Sequence, residues 1–105
     1  MSTQTEEVDV REKSKLINSL VVIANRKGEV LDWVNDGIRM NHENIPVISK
    51  SSVMISGLGK YVGSLIGLRE LQSVTVEFIN GKVIVLNDED IYRVAIAKYE
   101  VESVT

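Results

Sequence analysis

The sequence predicts one α/β sandwich of the α+β class, with elements in the order α-β-β-α-β-β-β, a five-stranded antiparallel sheet and a long central helix. Three observations carry this. Residues 44–68 keep apolar positions in helical phase over many turns, whereas the stretches before and after them are β-branched runs joined by turn-forming residues. The chain is 105 residues long, which suits one modest core. Its composition, 44% hydrophobic and 26% charged, is that of an ordinary globular domain.

In chain order, residues 1–7 are polar and expected to be a flexible N-terminus, residues 8–99 one domain, and residues 100–105 a short tail. Residues 8–20 read as a helix, with Val10, Ile17 and Leu20 on one face and Arg11, Glu12, Lys13 and Lys15 on the other. Residues 20–24 and 29–34 read as a hairpin about the turn 25–28, where Gly28 suits a positive φ. In its second strand Val30, Asp32 and Val34 share one face, and Leu31 and Trp33 the other. Residues 38–43 form an irregular connector. After Gly67 the period changes to two: strands are expected over 74–79, 82–86 and 91–99. Asn80-Gly81 predicts a type I′ turn, and residues 87–90 a second turn.

The central helix is expected to start with Asn44 as cap and Pro46 in the first turn. Val47, Ile48, Met54, Ile55, Leu58, Tyr61, Val62, Leu65 and Ile66 share one broad arc, so Met54, Leu58, Val62 and Leu65 are expected in the core. A second, adjoining arc holds only Ser52, Ser56, Gly59 and Gly63, with Lys50 and Lys60 outside both. Glycine within a helix costs about 0.5–1 kcal/mol relative to alanine, so this flat arc calls for a close approach by a neighbouring strand or helix. The apolar register stays in phase across Gly57 and Gly59, which favours one continuous helix over a break there.

Charge and motif content narrow the function. A formal net charge of −3 gives no general electrostatic footprint for nucleic acid. Cysteine is absent, so disulfides, thiolate catalysis and cysteine–zinc sites are excluded, and a cytoplasmic location is expected. The polar, acidic N-terminus lacks the apolar stretch of a secretory signal, and the apolar run 53–68 is too short to span a bilayer and carries Lys60. No direct membrane insertion is expected. His42 is the only histidine; with Asp36, Asn41 and Glu43 near it, a solvated loop histidine outweighs a metal ligand or a catalytic base. Gly57-Leu-Gly-Lys-Tyr-Val-Gly63 lacks the spacing and the strand-to-helix setting of a phosphate-binding loop, and reads as packing. No catalytic residue, cofactor or metal site is expected.

With this order in hand, the chain resembles the roadblock/dynein light chain family, small proteins with a profilin-like sandwich. The resemblance covers roughly residues 16–99. It rests on the opening hairpin Val21-Val-Ile-Ala-Asn-Arg-Lys-Gly-Glu-Val-Leu31, on the small-residue-rich helix ending Leu65-Ile-Gly-Leu68, and on a meander turning at Asn80-Gly81 and Asn87-Asp-Glu-Asp90. Asn25 stands where family members often carry an acidic residue, and serine and glycine occupy a helix that is alanine-rich in many of them. The resemblance implies a non-enzymatic dimeric adaptor or regulator of a Ras-like small GTPase. It would pair with itself or a paralogue by joining sheet edges and central helices. Ser52, Ser56, Gly59 and Gly63 then become the expected helix contacts of the dimer, while Arg26, Lys27, Arg93 and Lys98, with Asp32, are exposed candidates for partner contacts. An arginine finger at Arg26 is the bolder alternative to a solvated turn arginine. Two other readings stay open: a profilin-like small-molecule sensor with a pocket near Trp33, Phe78 or Tyr61, and a structural light chain with no GTPase link.

Overall fold

Residues 15–101 are described by the computed structural model. The expected N-terminus 1–7, the first part of the expected first helix (8–14) and residues 102–105 lie outside them. The elements are β1 (Lys15–Asn25), β2 (Val30–Asp36), α1 (Asn44–Leu65), β3 (Ser73–Phe78), β4 (Gly81–Asp88) and β5 (Ile91–Val101). They form one sheet in the order β2-β1-β5-β4-β3, with every named pair antiparallel and α1 packed on one face. Among the described residues no helix is long and apolar enough to cross a membrane.

Within the described residues the expected helix over 8–20 is replaced by a strand, because residues 15–20 belong to β1. This strand pairs with β5 along its whole length, from Lys15 opposite Val101 to Asn25 opposite Ile91. The eleven-residue β5 needs a partner of equal length, and the ladder outweighs the weak helical spacing of Ile17 and Leu20. The strand also continues through Glu100 and Val101, past the expected start of the tail.

Alternation along the strands builds the core. Leu20, Val22 and Ala24 of β1 stand beside Ile96, Val94 and Tyr92 of β5, and Val83 and Val85 of β4 extend the rows. Most of these side chains are buried, and Ile45 of α1 closes the cluster from above. At the first turn Gly28 takes φ +85°, as expected from its position. Here Asn25 does the work of an acidic turn residue: its Oδ1 accepts hydrogen bonds from the backbone N–H of Lys27 and of Glu29.

The expected type I′ turn at Asn80-Gly81 is not formed. Phe78 already pairs with Gly81, so the loop residues are Ile79 and Asn80, and neither has a positive φ. Gly81 is instead the first residue of β4, where a Cβ would collide with the Ala97 carbonyl oxygen of β5. Glycine serves close backbone approach here, and the sequence signal points to a different use of the same residue.

The helix is continuous through Gly57 and Gly59, and Glu43 rather than Asn44 is its cap, without a side-chain hydrogen bond. It ends in a Schellman motif: Leu68 N–H bonds to Gly63 O, Gly67 N–H to Ser64 O, and Gly67 has φ +77°. Its orientation reverses the expected one. Met54, Leu58, Val62 and Leu65 are 59–70% exposed, while Ser49, Ser52 and Ser56 are buried against the sheet. A Cβ on Gly59 would touch Leu71 and Val74, and one on Gly63 would touch Leu68. The sheet presents the bulky half of the contact, Leu20, Val22, Val85, Tyr92 and Val94, so the helix must present the flat half to pack closely. The four residues expected to meet a second helix therefore face their own subunit.

Candidate functional site

The apolar arc that leaves the core becomes the principal surface feature of the molecule. Val47, Met54, Leu58, Tyr61, Val62 and Leu65 run along the outer side of α1, and Ile66 and Leu68 continue the patch beyond its end. All are more than half exposed. An exposed apolar strip along a 22-residue helix, about 33 Å long, is the kind of surface that marks an interaction site. On its inner side α1 meets β3 through Gly59 on Val74, and β3 is the last strand of the sheet among the described residues. Phe78 and Ile79, at the end of that edge strand, are exposed as well. Helix strip and strand edge offer two means of association: apolar contact, and the backbone hydrogen-bonding groups that β3 leaves unpaired on its outer side among the described residues.

The candidate partner contacts are not brought together. Arg26 is bound to the β4–β5 turn, donating to the Glu89 carbonyl and lying 3.9 Å from an Asp90 carboxylate oxygen. This engagement argues against a free finger. Lys27 is exposed on the same turn as Arg26. Asp32 sits on the edge strand β2, accepting the N–H of Trp33. Arg93 projects from the face opposite α1 and lies 3.8 Å from Asp88. Lys98 is half-buried at the far end of β5, in an open cleft that Phe78 also lines.

Several other polar side chains have structural roles. His42 lies beside Trp33, ring centroids 4.9 Å apart and planes tilted by 58°. Ser52 and Ser64 give their hydroxyl hydrogens to the carbonyls of Ile48 and Tyr61. Among the described residues no cluster of three or more His, Asp or Glu could hold a metal ion. The sequence reading missed the outer helix surface, although its signal was present. An apolar arc and a flat arc side by side leave two ways to dock a helix, and the bulk of the sheet's side chains decides between them.

No family model matches the chain, and no curated protein matches it in sequence. Solved structures do match in shape. A roadblock/LC7 domain from Streptomyces avermitilis superposes with a TM-score of 0.68 at 12% identity, covering 88% of this chain and 77% of that one. The gliding protein MglB from Thermus thermophilus gives 0.68 at 13% identity, covering 90% and 70%. MglB of Myxococcus xanthus gives 0.65 at 12%, covering 81% and 67%. Identities this low speak for architecture alone. A five-stranded sheet with one small-residue helix on its face, superposing on these proteins over most of its length, has the roadblock fold.

Proposed function

We propose that the protein is a non-enzymatic, dimeric adaptor that regulates a Ras-like small GTPase. One observation carries the reading: an exposed apolar face on α1, over a sheet whose last strand β3 has no outer partner among the described residues. Two copies joined there would bury the strip and extend the sheet, and a paralogue with the same surface could replace the second copy. The fold likeness supports assembly, since one similar structure is described as MglB with a tetrameric arrangement. A GTPase partner follows from what the family resemblance implies. A dimer gives it a wider platform than one 105-residue subunit.

The test is binding to the small GTPases of the same cell in both nucleotide states, with hydrolysis followed in parallel. Saturable binding by the assembled protein, with a preference for one nucleotide state, is the expected result. Absence of binding to any of them by a folded, assembled protein would overturn the GTPase assignment and leave a structural light chain or scaffold. Arg26→Ala should leave any effect on hydrolysis intact, because Arg26 is held by Glu89 and Asp90.

A further inference from the structure

A cleft of about 510 Å³ opens where the β1–β2 turn, the last turns of α1 and the connector after it meet. Three cationic side chains from three separate segments line it, Arg26, Lys60 and Arg69, against one carboxylate, Glu70. In a chain of net charge −3 this is a local inversion of sign. Arg26 is partly neutralised by Asp90, whereas Lys60 and Arg69 carry no ion pair among the described residues. The Lys60 ammonium is held in place, donating to the Tyr92 hydroxyl at 3.3 Å and lying 5.6 Å from that ring's centroid. Tyr92 is itself buried, so the ammonium rests on a fixed support.

A helix C-terminus ordinarily repels an anion; here two of its last four carbonyls are capped by the chain itself. The carbonyls of Gly63 and Ser64 accept from Ile66, Gly67 and Leu68, and the carbonyl of Tyr61 accepts from the Ser64 hydroxyl. Asn87, also in the lining, uses one amide hydrogen on the Leu71 carbonyl and has a second. Leu71 adds an apolar wall.

We propose that this cleft binds a phosphate-bearing ligand, gripped by Lys60 and Arg69 with Arg26 at the rim. More than one cation suits a group carrying about −1.5 to −2 charges better than a single carboxylate. A soluble phosphorylated compound and a phospholipid headgroup share this chemistry, and the site's exposure admits either.

The experiment is a titration of the isotope-labelled full chain with inorganic pyrophosphate, read by backbone amide shifts. A second arm uses phosphatidylcholine vesicles with and without phosphatidylinositol phosphate. Saturable shifts at residues 60–71 and 87 are expected, with affinity falling about tenfold in Lys60→Gln and in Arg69→Gln. Arg39→Gln, near the other end of α1, should change nothing. Response to the phosphoinositide vesicles alone, with the same dependence on Lys60 and Arg69, supports the headgroup source. Response to neither probe, or an affinity that Arg69→Gln leaves intact, overturns the proposal. Arg69 is exposed, so its substitution tests the site without threatening the fold.

Discussion

The hydroxyl of Ser49 donates to the carbonyl oxygen of Gly28 at 2.7 Å, inside the contact between α1 and the first turn. Ser49 is wholly buried, and a Cβ on Gly28 would lie 3.2 Å from the backbone of Lys50. One polar contact thus fixes the height of the helix above the turn. Removing the hydroxyl leaves a buried carbonyl without a partner, so Ser49→Ala should cost about 1–3 kcal/mol in urea unfolding. A loss below about 0.5 kcal/mol would show that the turn does not depend on this bond.

Ser56, two turns along the same face, is the instructive contrast. Its Oγ is buried and finds no hydrogen-bond partner among the described residues. Here Ser56→Ala removes a desolvated hydroxyl and improves helix propensity, so stability should hold or rise by up to about 1 kcal/mol. A loss comparable to that of Ser49→Ala would mean that the hydroxyl is satisfied by an enclosed water.

The glycines divide by surroundings in the same way. Among the described residues nothing lies within 4 Å of a Cβ at Gly57, so Gly57→Ala should gain about 0.5–1 kcal/mol from helix propensity alone. Gly59→Leu should instead cost about 1–3 kcal/mol through overpacking on Leu71 and Val74 within one subunit. Gly81→Ala should be destabilising too, because the Ala97 carbonyl occupies the space. Thermal unfolding of the three variants in parallel checks the ranking, and a stable Gly81→Ala protein would refute the close-approach argument for β4.

Much of this architecture was legible in the chain. The β-branched runs, Gly28 and the in-phase apolar positions of 44–65 located all five strands, the first turn and the helix by local chemistry alone. Three features depended on distant partners and were not. Residues 15–20 are a strand because β5 extends far enough to pair with them. Gly81 is needed by Ala97, sixteen residues away, and no turn rule contains that neighbour. The rotation of α1 depends on which of two arcs fits the side chains of the sheet, and burial of the larger apolar arc was the wrong choice. The cation cleft was hidden for a similar reason: Arg26, Lys60 and Arg69 meet only after folding.

The outward turn of Leu58 has a direct consequence for exposed apolar surface. In an isolated subunit Leu58→Ala should cost under about 1 kcal/mol, well below the 2–5 kcal/mol of a buried leucine. At higher protein concentration the penalty should grow, because the same side chain is then buried by association. A concentration-independent loss of several kcal/mol would place Leu58 back in the core.

Sedimentation equilibrium of the wild-type chain beside Leu58→Asp decides whether the outer face of α1 is an assembly surface. At micromolar concentration the wild type should sediment with twice its 11.7 kDa mass. Leu58→Asp should sediment at 11.7 kDa with an unchanged circular dichroism spectrum. A wild-type mass of 11.7 kDa, or a Leu58→Asp protein that stays associated, would contradict the assignment of this face.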